Sequence, residues 1–269
     1  MTPGYNYTNA TWLGISFPMP GSNAEVSSNK WLAEHIQQGH GPLGAAYPDV
    51  AYGMEGDTPA FLNLIDNGLN DSEHPNYGGW GGRYELYLPE FVDSNTGRFR
   101  RENWPKDEPE TRPIWTNASD SVTSAIDKRS YGGNRETIWR WREDFQNDFA
   151  ARIDWTIKSF AECNHPPIVK LDHADRLTVK SGEHFSLSAK GTKDPDGDSM
   201  SYLWFVYKEA GSFKGPFSIR PYSPNLYRIP EITAPVVKKP ETIHFILKVT
   251  DKGTPAISRY KRIIVTVTP

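Results

Sequence analysis

Apolar residues recur every three or four positions in one stretch of the chain. They are Ile138, Trp141, Phe145, Phe149, Ile153, Ile157 and Phe160. This spacing places them on one face of a helix, and Asn134 lies where an N-cap would. Two shorter helices are predicted earlier, one from about residue 29 to 38, ended by Gly39, and one that begins near Pro59 and ends at Gly68.

The period changes to two from Ile168 onward. Apolar and polar residues alternate in the segments 176–179, 183–188, 202–206, 243–249 and 262–267, and Gly, Pro and Asp turns separate them. About 100 residues of such short strands predict a two-sheet sandwich. The pair Pro166–Pro167 ends the helical part. We therefore predict an α/β domain over residues 1–163 and an all-β immunoglobulin-like sandwich over 164–269.

Composition narrows the classes of function. The 269 residues carry a net charge of -3 and contain no basic block, which argues against a nucleic-acid partner. No apolar run approaches the ~18 residues of a membrane span. Aromatic residues make up 13%, with nine Trp and thirteen Tyr. Such rings stack on the C–H faces of sugars, although packing in the core is the alternative for any single ring.

The segment from Glu55 to Pro59 joins an extended stretch to a helix start. A carboxylate such as that of Asp57 would meet the free N–H groups of the helix there. In open α/β sheets ligands bind at the carboxyl ends of strands, which is where this turn would lie. A plain helix cap with no other role is the alternative.

Four glycines surround one tryptophan in the segment 78–82. Glycines let the backbone approach a ligand or let the Trp80 side chain project. With His74 as a proton carrier, Trp80 as a stacking face and Arg83 as a fork of donors, the segment forms a candidate substrate site. The alternative is a structured loop whose tryptophan lies in the core.

Aspartates at 194, 196 and 198 surround Gly197, and Tyr202–Trp204 follow. This stretch resembles a turn and strand of polycystic-kidney-disease-type immunoglobulin-like domains, which are often appended to secreted polysaccharide-active enzymes. Three carboxylates could hold calcium. We favour the other interpretation, a tight turn whose Asp side chains bond their own backbone.

A wider resemblance rests on five stretches: Trp31–Glu34, Gly39–Gly44, Glu55–Pro59, Gly78–Tyr84 and Trp139–Arg142. They look like a bacterial family of cellulose-binding proteins that join a nucleoside-hydrolase-like domain, of Rossmann type, to a C-terminal immunoglobulin-like domain. The resemblance covers nearly the whole chain. It implies a protein outside the cytoplasm, extracellular or periplasmic, that acts on or binds a polysaccharide or oligosaccharide.

The nucleoside hydrolase fold implies calcium, held by an N-terminal aspartate cluster and one later aspartate. Asp57 looks like that later aspartate, with Glu55 and His74 as candidate catalytic or substrate-binding residues. The usual His before the aspartate is here Gly56, which argues against a plain nucleoside as the substrate and for another glycoside. The N-terminal cluster is absent from the sequence, so we expect the chain to begin partway through the domain.

Two functions therefore remain. The first is a calcium-dependent glycosyl hydrolase, which this chain alone would perform poorly because half of the metal site is missing. The second is a non-catalytic carbohydrate-binding or adhesion module that uses Trp80 and the loops of the sandwich.

Overall fold

The computed structural model describes residues 10–51, 53–54, 59–87, 112–217, 219 and 226–269, and only the backbone of residues 228 and 230. The expected first helix is present as α1 (Asn29–Leu32), which continues as a π-helical turn over Ala33–Gln37. A short helix α2 (Gly41–Ala45) follows. The helix expected after residue 58 is a 3-10 turn over Pro59–Leu64, and Gly68 has a positive φ of 80°.

Two short ribbons follow in the first part of the chain. Strand β1 (Tyr84–Tyr87) pairs antiparallel with β2 (Ile114–Asn117), and β3 (Asp120–Thr123) pairs antiparallel with β4 (Ser130–Gly133). Within the described part of residues 1–163 these ribbons are the only strands. The parallel sheet of a Rossmann-type domain is therefore not seen in that part.

The long predicted helix is interrupted. Helix α3 spans Glu136–Trp139, Trp141 leaves helical geometry with φ -107° and ψ 2°, and α4 spans Arg142–Asp154. Helix α4 is buried on its polar side as well. Arg142 is 1% exposed and donates to the carbonyl oxygens of Gly14 and Phe17 at 2.7 and 2.8 Å. Burial lowers the pKa of Arg142 to about 10.

Six strands build the second part of the chain. They are β5 (Arg176–Lys180), β6 (His184–Ser188), β7 (Met200–Val206), β8 (Arg228–Thr233), β9 (Glu241–Asp251) and β10 (Ser258–Thr268). One sheet has the order β5-β10-β9-β7, with β5 and β10 parallel and the other pairs antiparallel. Strands β6 and β8 form a second, antiparallel pair. All five predicted strands are present, and β8 was not predicted.

The four-stranded sheet is buried on both faces. Alternate residues of β9 and β10, among them Phe245 and Val265, pack with Leu187 of β6 and Ile232 of β8. We call this the inner face. The intervening residues, such as Ile246 and Tyr260, pack against the first part of the chain. We call this the outer face. Because both faces of the sheet are covered, the consecutive residues 243–247 of β9 are all buried.

The outer face joins the two parts of the chain in one core. Trp80, Ile138, Trp141 and Phe145 come from before the predicted boundary at residues 163 and 164, and Tyr207, Ile246 and Tyr260 come from after it. In the described residues, none of the helices is both long and apolar enough to cross a membrane.

Candidate functional site

The loop from residue 67 to 83 lies against strand β10. The Tyr260 N–H donates to the Asn67 carbonyl at 2.8 Å. Gly68 makes this approach possible, because a Cβ at that position would lie 2.1 Å from the Tyr260 carbonyl oxygen and φ is +80°. The loop is thereby fixed to the edge of the outer face near β5 and β10.

Two asparagine side chains fold the glycine-rich segment. Asn70 Oδ1 accepts from the Trp80 N–H and Asn63 Oδ1 accepts from the Gly81 N–H, both at 2.9 Å. A Cβ at Gly79 would lie 2.3 Å from Asn70 Oδ1. The glycines therefore let side-chain amides approach the backbone, which is a structural use of the motif.

Trp80 lies in the core. Its side chain is 0% exposed, its ring meets Phe145 and Tyr260 edge to face, and its Nε1 donates to the Tyr260 hydroxyl at 3.3 Å. A sugar has no access to either face of the ring in this conformation. The structure therefore agrees with the alternative, in which Trp80 is a core residue. The ring is not available to stack on a sugar.

Arg83 is held by a buried carboxylate. Its Nε donates to Asp120 Oδ1 at 2.7 Å, and Arg140 and the Tyr207 hydroxyl donate to Oδ2 of the same residue at 3.1 and 2.5 Å. Burial opposes the charge on Arg83, but the attraction of Asp120 outweighs it and raises the pKa of Arg83. Its fork of donors is thus occupied within the protein instead of facing a ligand.

His74 is the expected site residue that faces solvent, with a side chain 44% exposed. Its Nδ1 lies 2.9 Å from Asp71 Oδ2, and its ring stacks on Tyr77 at 4.5 Å between centroids and 8° between planes. The other candidates of the sequence analysis, Glu55 and Asp57, lie outside the described residues. The role of Asp57 as a calcium ligand stays a prediction.

A cleft of about 150 Å³ opens beside His74, between this loop and strands β5 and β10. It is lined mainly by charged side chains and one ring: Asp71, Tyr77, Asp175, Arg176, Lys261 and Arg262. We call it the Tyr77 cleft. Sequence analysis missed all of these residues, because the two sides of the cleft lie about 100 to 190 positions apart in the chain.

Arg262 forms the floor of the Tyr77 cleft. It donates to the carbonyl oxygens of Leu69 and Gly78 at 3.0 and 2.7 Å, and its guanidinium lies 5.4 Å from the centre of the Tyr77 ring. Its Nε is buried without a protein partner. Burial lowers the pKa of Arg262 to about 10, so the side chain is charged at neutral pH.

The buried side chain of His244 packs against Tyr77. The two rings meet edge to face at 4.6 Å, and the His244 side chain also lies 3.2 Å from Arg262. Burial, and then the positive charges of Arg262 and Arg176, lower the pKa of His244 to about 3. The imidazole is therefore neutral, and its Nδ1 can accept from the Arg262 guanidinium.

In the described residues, one group of acidic side chains has a spacing that suits a metal ion. It consists of Asp194, Asp196 and Asp198, whose nearest oxygen atoms lie within 4.8 Å of one another. This group lies in the turn before β7, apart from the Tyr77 cleft. It is therefore a second place in the molecule with possible ligand chemistry.

Comparison with protein families gives two matches. Residues 1–84 match the family described as cellulose-binding Sde182, nucleoside hydrolase-like domain. Residues 184–267 match the family described as cellulose-binding protein Sde0182, C-terminal domain. Together the matches cover more than half of the chain and include all of β9 and most of β10. A comparison with curated proteins found no match.

A solved structure is similar over almost the whole chain. It is a nucleoside hydrolase-related hypothetical protein from Saccharophagus degradans, associated with carbohydrate metabolism. The sequences are 32% identical, the TM-score is 0.67, and the similarity covers 96% of this chain and 60% of the other. The chain thus spans about three fifths of the length of that relative.

Proposed function

We propose that the chain belongs to the cellulose-binding proteins whose family models it matches over residues 1–84 and 184–267, and that it binds polysaccharide through the Tyr77 cleft. The ligand is cellulose or a related glucan. The observation that carries the proposal is the combination, in one cleft, of an aromatic ring with carboxylate and cationic side chains.

The chemistry of the cleft suits a sugar. A sugar ring offers C–H groups that pack on an aromatic face, and hydroxyls that both donate and accept hydrogen bonds. Tyr77 and the partly exposed His74 ring stacked on it supply the aromatic surface, Asp71 and Asp175 supply acceptors, and Arg176 supplies donors. The volume of about 150 Å³ suits roughly one sugar residue, such as a chain end or a single unit of a longer glucan.

Hydrolysis is the second candidate, and the match of residues 1–84 to a nucleoside hydrolase-like domain favours it. The proposed calcium ligand Asp57 lies in that range. Asp57→Ala is expected to weaken calcium binding, as measured by calorimetry. Unchanged calcium affinity would remove the basis for a nucleoside-hydrolase-type reaction.

Two further proposals follow from family membership. The sheets of residues 176–268 form an immunoglobulin-like sandwich, which is supported by the packing of β6 and β8 on the inner face. The protein works outside the cytoplasm, because insoluble polysaccharide of this kind is an extracellular ligand.

Retention on insoluble cellulose tests the binding proposal. The full chain is incubated with cellulose and with other insoluble glucans, and the bound fraction is measured for the wild type and for Tyr77→Ala, His74→Ala and Arg176→Gln. Because Tyr77→Ala removes the ring on which His74 stacks, an interaction of about 1 kcal/mol, we expect it to weaken binding roughly fivefold. His74→Ala and Arg176→Gln change exposed residues and should weaken binding without loss of folding.

The matched control is Lys190→Gln, an exposed charge change in the same part of the chain. It should bind as the wild type does. If the full chain is not retained on any glucan, the binding function is wrong. If the chain is retained and all three cleft variants bind equally well, binding occurs elsewhere and the assignment to the Tyr77 cleft is wrong.

A further inference from the structure

Oxygen atoms gather where the end of the helical part meets the turn before β7. In that turn the N–H groups of Asp196 and Asp198 donate to Asp194 Oδ1 at 2.9 and 3.0 Å. These are the backbone bonds of the tight turn favoured from the sequence. They occupy one oxygen of Asp194 and leave the other, Oδ2, without a role in the turn.

Three buried oxygens at this place have no hydrogen-bond partner in the protein. They are Asp194 Oδ2, Asp251 Oδ2 and Asn164 Oδ1. Asp251 is 0% exposed, and its other oxygen accepts from the N–H groups of Gly253 and Ile257. A buried carboxylate oxygen without a partner is costly, so three such oxygens near one another call for a ligand.

Several contacts bring these residues together. Asn164 Nδ2 donates to Asp251 Oδ1 at 3.1 Å, which places the Asn164 amide beside the carboxylate. The next residue, His165, donates from its backbone N–H to Asp196 Oδ2 at 2.6 Å. Oxygen atoms of Asp194, Asp196 and Asp198 lie within 4.8 Å of one another, so the contact of Asp196 with His165 brings the whole turn next to Asn164.

We propose that Asp194, Asp198, Asp251 and Asn164 form a calcium-binding site. All of the donors are oxygen atoms, and carboxylate and amide oxygens in an irregular arrangement suit Ca²⁺, which takes six to eight oxygen ligands. Zinc favours nitrogen and sulfur, and magnesium needs a near-ideal octahedron. Asp196 is engaged with His165 and lies at the margin of the site.

The site has a structural consequence. Asn164 ends the helical part of the chain, Asp194 precedes β7, and Asp251 ends β9. One ion would therefore tie the junction between the two parts to two elements of the sandwich. It would also replace the repulsion among the carboxylates by attraction to a divalent charge.

Terbium luminescence offers a direct test, because Tb³⁺ occupies calcium sites and emits when a nearby indole is excited. Trp155 Nε1 donates to the Asn164 carbonyl at 2.9 Å, so an indole lies beside the proposed site. The full chain, freed of metal by a chelator, should show Tb³⁺ emission that calcium displaces. Trp155→Phe should lose most of the emission and keep the calcium-dependent rise in Tm. Emission that is unchanged in Trp155→Phe would place the ion elsewhere and overturn the proposal.

Substitutions of the ligands complete the test. Calcium at one hundred times its Kd should raise the Tm of the wild type by roughly 5–10 °C. Asp251→Asn should abolish the rise, and Asp198→Asn, which changes a side chain outside the core, should weaken calcium binding roughly tenfold or more. The control Asp172→Asn, an exposed aspartate of the same region, should behave as the wild type.

Three other results would overturn the proposed calcium site. A calcium response that persists in both Asp251→Asn and Asp198→Asn, or that disappears in Asp57→Ala instead, would overturn the site. A wild-type chain whose Tm does not rise with calcium, and whose Tb³⁺ emission calcium does not displace, would overturn the site as well. Retention on cellulose is measured separately, so a failure of this site and a failure of glycan binding are distinguishable.

Discussion

The two faces of the four-stranded sheet are both buried, but different kinds of side chain bury them. The inner face is apolar: Ile243, Phe245, Ile263 and Val265 pack against residues of β6 and β8. The outer face carries polar side chains at the intervening positions, among them His244, Lys248, Tyr260 and Arg262. The inner face needs only an apolar surface packed against it. The outer face needs a hydrogen-bond or ion-pair partner for each of its polar groups.

Those partners come from distant parts of the chain. Asp144 accepts hydrogen bonds from Lys248, Ser258 and Tyr260, and Arg262 donates to the loop that carries Tyr77. The outer face therefore fixes both the position of α4 and one wall of the Tyr77 cleft. Three predictions probe this difference, in order of decreasing effect.

The largest effect is expected on the inner face. Phe245 is 0% exposed and meets the rings of Phe185 and Phe217, so Phe245→Ala should lower the free energy of unfolding by about 3–5 kcal/mol. Equilibrium denaturation in urea measures it. Leu203→Ala, at a side chain 56% exposed, is the control and should cost less than about 1 kcal/mol. A similar small loss for Phe245→Ala would contradict an apolar inner core.

A smaller loss is expected on the outer face. Tyr260→Phe keeps the ring and removes a hydroxyl that donates to Asp144 and accepts from Trp80 Nε1. Hydrogen bonds to a charged partner contribute about 1.5–3 kcal/mol, and the free energy of unfolding should fall by that amount. Tyr227→Phe, at a side chain 48% exposed, should leave stability unchanged. Equal stability of both variants would mean that the outer face is held by apolar contact alone.

The smallest effect concerns pH. His244 has its pKa lowered to about 3, below the ordinary value of 6.5, so the unfolded chain binds a proton between these values and the folded chain does not. Stability is therefore full above pH 6.5 and falls as the pH decreases, by about 1 kcal/mol between pH 6.5 and 5.5.

Urea unfolding at the two pH values measures this loss. His244→Asn should remove it, since the substituted side chain does not titrate. His184→Asn, at a side chain 63% exposed, should preserve it. A loss that persists in His244→Asn would assign the titration to another group.

The strands of the second part could be predicted because alternation is a local property. A strand that packs one face on an apolar core needs an apolar residue at every second position, and this pattern is visible in 243–249 and 262–267. Strand β8 was missed because Pro230 interrupts its sequence. Strand β8 pairs only with β6 and is therefore an edge strand. A proline is tolerated there because one side of an edge strand donates no hydrogen bonds to a neighbour.

The long helix shows the limit of a local pattern. The stripe from Ile138 to Phe160 predicts one helix, yet α4 ends at Asp154, and Ile157 and Phe160 are 42% and 74% exposed. Burial of Arg142 and Asp148 on α4 was equally hidden, because only carbonyl groups and ion-pair partners from elsewhere make it favourable.

The sequence by itself determined the change from a helical to a stranded region near residue 164, most of the strand positions and the family resemblance, since each depends on residues close together in the chain. Only the tertiary structure decided that Trp80 and Arg83 belong to the core, that Tyr77 and Arg176 line one cleft with Arg262, and that Asn164 contacts Asp251. The physical reason is that a side chain becomes a ligand-binding group or a core group according to the partners that folding brings to it from distant positions.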